Sequence, residues 1–256
     1  MAVRCKTACE LELMRAAGHI VASVLEQLRS LIVPGVTTKE LDRTAEALIR
    51  KMGGMPSFKG YLGYPASICT SVNEEIVHGI PGARWLAEGD IISLDVGAIW
   101  EGYQGDGAIT VGVGRITAEA QRLIEATEAA LLAGIAAVHG GGRMGDVSHA
   151  VEQAARAAGF AVVREYGGHG IGQRMHEPPN IPNWGPAGRG FRLKPGMTFA
   201  LEPMLTLGDY RTRQLADHWT VVTADGSLAA HFEHTIVVTE DGSEILTRIA
   251  ERMPVS

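Results

Sequence analysis

Hydrophobic spacing lays out the helices of this chain before any other property is considered. Met14, Ala17, Val21, Leu25, Leu28 and Ile32 recur at steps of three and four, which lines one face of a long helix. Thr7 with Glu10 supplies a capping-box start, and Pro34-Gly35 supplies the stop. Thr37 with Glu40 repeats the start, and Leu41, Ala45 and Leu48 carry a shorter helix to Gly53-Gly54. Mixed loop and strand follow to Asn73. From Thr117 the plan recurs. Ala120, Leu123, Ile124, Thr127, Leu131, Gly134, Ile135 and Val138 mark a second long helix that ends in a glycine run, Gly140-Gly141-Gly142. Asp146 reads as the cap of a shorter helix through Val147, Ala150, Val151 and Ala154 to Gly159. Strand-like segments then cover 160–165, 197–205, 220–223 and 233–239.

Long helix, glycine turn, short helix and strands therefore occur twice, in halves spanning about 8–113 and 117–240. The expectation is an α+β protein whose two similar halves share one sheet, with helices on its outer face and a cleft between the halves. At 256 residues and 46% hydrophobic, the chain suffices for a single domain over 1–256 with a large core. A net charge of −6 without charged runs points away from nucleic acid and anionic membranes as partners. Cys5, Cys9 and Cys69 cannot all pair, and no apolar span or signal-peptide core opens the chain, so a reducing, cytoplasmic setting is expected.

The stretch from Ile91 to Asp106 reads as two apolar strands joined by a turn near Glu101-Gly102, which sets Asp95 and Asp106 roughly opposite on one face. Like charges so placed repel, and a shared proton or a bound cation would offset that cost. The bland alternative is one aspartate capping the turn and the other solvated. Three further stretches put polar groups among apolar ones: Gly167-Gly168-His169-Gly170-Ile171-Gly172, Ala200-Leu201-Glu202-Pro203-Met204 and Phe232-Glu233-His234-Thr235-Ile236. Singly, a buried glutamate is as readily a structural ion pair and His169 a turn residue. Together, four carboxylates and one imidazole suit a pair of divalent cations, and an oxygen-rich set with one nitrogen fits manganese, iron, cobalt or zinc better than calcium. His19, His139, His149, His218, His231 and His234 are read as structural. Strand alternation turns His234 to the face opposite Glu233.

These motifs, with Ser71-Val72-Asn73-Glu74-Glu75-Ile76-Val77-His78-Gly79 and His176-Glu177-Pro178, resemble the type I methionine aminopeptidases in order and spacing from about Leu11 to Thr239. The resemblance implies the pita-bread fold and a site with two divalent metal ions held by Asp95, Asp106, His169, Glu202 and Glu233. It implies Glu202 as proton shuttle, His176 as stabiliser of the tetrahedral intermediate and His78 as partner of the scissile amide nitrogen. The methionine pocket would be lined by Phe58, Tyr61, Tyr64, Cys69, Met175 and Trp219. Phe58 and Met175 depart from bacterial members, where cysteine and phenylalanine are common, but keep the pocket apolar. The implied reaction is attack of a metal-activated water on the first peptide bond of nascent chains at the ribosome, where the second residue is small, by a cytoplasmic monomer. Two rivals stand beside it: a proline-directed peptidase of the same fold, which usually carries an added N-terminal domain, and a non-catalytic binding module on that fold.

Overall fold

The computed structural model describes residues 3–248, and its helices begin where side chains satisfy free backbone N–H groups. Glu10 Oε2 accepts from the Thr7 N–H at 2.8 Å and Thr7 Oγ1 accepts from the Glu10 N–H, so the box closes and α1 runs Ala8–Leu31. Thr37 and Glu40 do the same for α2, Thr38–Lys51. Thr117 caps α3, Ala118–Ala136. The fourth helix, α4, Met144–Ala157, corrects one expectation: Asp146 is not its cap but lies in its first turn. Its carboxylate still reaches back to accept from the Arg143 N–H at 3.2 Å, which is why the sequence signal was real but three residues late.

The nine strands of the main sheet are β1 Met55–Pro56, β2 Ile68–Val72, β3 Ile91–Trp100, β4 Tyr103–Gly112, β5 Gly168–Gly170, β6 Glu177–Ile181, β7 Thr198–Leu201, β8 Glu233–Val238 and β9 Ser243–Ile245. They are antiparallel throughout, in the order β1-β3-β4-β8-β7-β5-β6, with β2 beside β3 and β9 beside β8. The helix pair precedes the strands in each half, and the halves meet where β4 pairs with β8. One long segment expected over 197–205 is broken into β7 and Met204–Thr206, because Pro203 has no N–H to give a ladder. The expected segments 160–165, 197–205, 220–223 and 233–239 each hold strand, whereas Gly168–Gly170, Glu177–Ile181, Thr212–Gln214, Ala229–His231 and Ser243–Ile245 are too short to show alternation in the sequence.

The two faces of the sheet are chemically distinct. Ile92, Leu94, Val96 and Ala98 of β3 pack with Val21, Leu25 and Leu28 of α1 and with Leu41 and Ile49 of α2, while Phe199, Leu201 and Ile236 pack with α3 and α4. Full burial of one such side chain contributes about 1.5–3 kcal/mol, and this paired core holds the sheet against the helices. Period-two alternation then sends Asp95, Asp106 and Glu233 to the other face. A two-residue turn with both Glu101 and Gly102 in the left-handed region pairs Trp100 with Tyr103, and counting back from it sets Asp95 opposite Ala108 and Asp106 opposite Gly97. The aspartates are thus diagonal neighbours on one face, roughly opposite as expected.

Helix α1 approaches β4 so closely that a Cβ on Gly105 would lie 2.8 Å from the Gly18 nitrogen and 2.9 Å from the Ala17 carbonyl carbon. Backbone atoms cannot swing aside, so Gly105→Ala should destabilise the fold by about 1–3 kcal/mol, as overpacked cores do. Urea denaturation checks this, and an unchanged midpoint would mean that the contact is looser than the structure has it.

Candidate active site

Asp95 on β3, Asp106 on β4, His169 on β5 and Glu233 at the start of β8 converge on the concave face, and Glu202 joins them from the residue after β7. Thr235 ties the two halves together here: its hydroxyl donates to the Asp106 carbonyl at 2.8 Å and accepts from the Asp106 N–H at 3.0 Å. His169 Nε2 lies 3.5 Å from a Glu202 oxygen and 3.8 Å from an Asp106 oxygen. His169 Nδ1 is 2.9 Å from the Gly170 carbonyl, which only accepts, so Nδ1 carries the hydrogen and the Nε2 lone pair faces the carboxylates.

Burial and mutual repulsion dominate the electrostatics. Desolvation pushes the Asp95 carboxyl up to about 7. It raises Asp106, Glu202 and Glu233 well above the carboxylate range, with the neighbouring charges adding to the effect. Burial also holds His169 and His78 down at about 4 and His231 at about 3. Among the described residues no lysine or arginine pairs with any of the four carboxylates, and Asp95 Oδ1, Asp106 Oδ1 and Glu233 Oε1 are buried without a hydrogen-bond partner. Orphaned acceptors of this kind call for a cation. Asp106, His169 and Glu233 each bring a ligand atom within 4.8 Å of the others, and the carboxylate-imidazole set suits a divalent transition metal. The residues present fit such an ion.

The cleft beside these groups is lined by every residue nominated from the sequence except Met175. Met175 is buried one layer behind, against Phe58 and the bare Gly97. Tyr64 forms the floor, its hydroxyl donating to the Ile68 and Gly79 carbonyls, with Phe58 and Trp219 edge-on to its ring. Tyr61 stacks on His176 and its hydroxyl lies 2.8 Å from His176 Nδ1. The His176 ring is 4.2 Å from that of His169. His78 sits at φ 61, a region side chains rarely adopt, and faces Trp219 and Tyr166. His234 turns to the helix side and meets Thr247 at 2.8 Å.

Tyr166 was missed in the sequence, and His231 was read as merely structural. Its Nε2 is in fact 3.8 Å from Glu233 and 4.0 Å from Glu202. Folding makes this approach, for His231 ends the short strand Ala229–His231 while Glu233 opens β8 in another sheet, so alternation along one strand does not relate them.

Residues 12–240 match metallopeptidase family M24. The chain belongs to that family. It is 54% identical over 245 residues to methionine aminopeptidase 1 of Bacillus subtilis, covering 96% of this chain and 99% of that one. A methionine aminopeptidase from Thermotoga maritima superposes with a TM-score of 0.95 at 46% identity, covering 96% of this chain and all of the other. The pita-bread architecture of this family is the fold described above. An Xaa-Pro dipeptidase from Bacillus anthracis, at 23% identity and a TM-score of 0.75 over 63% of its length, shares the fold alone.

In this M24 protein the cost of the carboxylate cluster is measurable. Asp95 has its folded-state value raised from 3.8 to about 7, so its contribution to stability is whole below about 3.8 and is lost as pH rises through about 7. At pH 8, stripped of metal, Asp95→Asn should therefore melt several degrees above the wild type, and added manganese should reverse the order. Melting curves at pH 5 and pH 8 test this, since the gap should shrink at the lower pH; equal curves at pH 8 would contradict it.

Proposed function

We propose that this chain is a metal-dependent aminopeptidase that removes the first methionine from nascent proteins whose second residue is small. The observation that carries this is the group of orphaned carboxylate oxygens and one imidazole at the end of an aromatic cleft, in a chain similar over nearly its whole length to methionine aminopeptidases. The same set supports a catalytic reading over a bare binding module, because every donor the chemistry needs is in place. The proline-directed rival has only the shared fold behind it.

In this reading Asp95, Asp106, His169, Glu202 and Glu233 hold two divalent ions, cobalt, manganese, iron or zinc. Bound metal supplies an activated water at neutral pH and polarises the carbonyl of the first peptide bond. Glu202 accepts the proton of the attacking water and delivers it to the departing amine nitrogen. When the Tyr61 hydroxyl donates to His176 Nδ1, Nε2 carries the ring hydrogen and donates to the oxygen of the tetrahedral intermediate. His78 hydrogen-bonds the scissile amide nitrogen. Phe58, Tyr64, Cys69 and Trp219 close around the methionine side chain, Tyr61 borders it beside His176, and Met175 sets the depth from behind. The setting is the cytoplasm, the substrates are chain N-termini emerging from ribosomes, the enzyme works as a monomer, and neither nucleic acid nor membrane is a partner. No helix among the described residues is long and apolar enough to cross a membrane.

Release of methionine from Met-Ala-Ser after metal removal and stepwise readdition is the direct test. Stripped protein should be inactive, manganese or cobalt should restore activity and raise Tm, and Met followed by a long side chain should be cut poorly. Faster cleavage of Ala-Pro than of Met-Ala peptides would move the assignment to a proline-directed enzyme.

The two neighbouring histidines should part company on substitution. His169→Ala should weaken metal binding in titration calorimetry and regain some rate with excess metal. His176→Ala should bind metal normally and lose about 10²–10³ in kcat, as for one transition-state donor. Metal loss in His176→Ala, or full kcat, would refute the division of roles.

A further inference from the structure

His231 has no part in the scheme above, yet its surroundings are those of a working group. It ends the strand Ala229–His231, which pairs with Met204–Thr206 directly after the Glu202-Pro203 break. Its backbone is fastened in both directions to Thr110: the His231 N–H donates to Thr110 Oγ1 at 2.9 Å, and that hydroxyl donates to the His231 carbonyl at 2.7 Å. Ser93 Oγ lies 2.8 Å from the same hydroxyl, so the anchor spans β3 and β4 beneath the cluster. The ring is 1% exposed and neither nitrogen has a hydrogen-bond partner. A histidine kept only to fill space would leave two buried polar atoms unsatisfied, where an apolar side chain would leave none.

The direction of the ring resolves this. Nε2 faces Glu233 at 3.8 Å and Glu202 at 4.0 Å, the two glutamates that no other side-chain N–H approaches from that side. His169 meets Glu202 through the other oxygen, Oε1, whereas His231 faces Oε2. We infer that His231 is a positioning residue of the metal centre: its Nε2–H holds the outer oxygens of Glu202 and Glu233, so that their remaining oxygens are aimed at the metal. Carboxylate ligands are generally oriented by such outer hydrogen bonds, and loss of one typically lowers metal affinity or activity about 10–100-fold. The inference rests on the metal-dependent reading above.

Two substitutions separate this role from simple packing. His231→Leu fills the space without a donor, and His231→Gln puts an amide N–H near the place of Nε2. Stripped proteins are titrated with manganese by calorimetry, the visible spectrum of each cobalt-loaded form is recorded, and kcat and KM are measured on Met-Ala-Ser. His231→Leu should bind metal about 10–100-fold more weakly, shift the cobalt spectrum and lose kcat more than KM, while His231→Gln stays close to wild type. Unchanged affinity and spectrum in His231→Leu, or a His231→Gln variant as weak as His231→Leu, would overturn the role. A wild type with no metal-dependent cleavage would overturn the aminopeptidase reading as well, whereas an active wild type with an unaffected His231→Leu overturns this inference alone.

Discussion

Four carboxylates placed together, with no lysine or arginine pairing with them among the described residues, are the constraint that the rest of this structure answers. Left alone, Asp95, Asp106, Glu202 and Glu233 crowd together in a poorly solvated cleft, where burial raises the proton affinity of all four and the neighbouring charges raise that of Asp106, Glu202 and Glu233 further. The fold therefore has to be stable for other reasons. It is, because the opposite face of the same strands is covered by four capped helices and two apolar clusters. One sheet thus carries its stability on one side and its chemistry on the other, and period-two alternation keeps the two apart.

Much of this was legible in the sequence, for reasons that differ by element. Helices α1 and α2 could be read almost to the residue because their starts are written in local side-chain chemistry, Thr7 with Glu10 and Thr37 with Glu40. The hairpin could be read because its turn residues and flanking runs are contiguous. The same turn, Glu101-Gly102, fixes the register, and counting back from it makes the two aspartates diagonal neighbours on one face. The candidate ligands stood out because a charged residue inside an apolar run is rare. His231 did not, since its own neighbours Ala229, Ala230 and Phe232 give no hint of the glutamates that folding brings to it. The strands Gly168–Gly170 and Glu177–Ile181 pair with each other and dock on Thr198–Leu201 through the first, and neither carries an alternation that marks it locally.

The aromatic wall shows a second division of labour. Tyr64 holds two backbone carbonyls and so is fastened to the scaffold, while Tyr61 is spent on His176. One tyrosine fixes the shape of the pocket and the other holds the ring of a histidine at its mouth. Lys6 adds a remote support: its ammonium is 2.8 Å from Glu177, the residue after His176, and its N–H donates to the Gly196 carbonyl at 2.7 Å. The segment ahead of α1 thereby braces the loop that presents His176.

The hydroxyl of Thr235 joins the two halves through Asp106, at a sequence separation of 129 residues. Contacts of such range form late in folding and carry the full cost of closing a long loop. During synthesis Asp95 and Asp106 are made within one hairpin, well before His169, Glu202 and Glu233. No half-length chain can bring the five residues together, so a truncated product carries the acidic pair of the hairpin without the groups that surround it in the full fold.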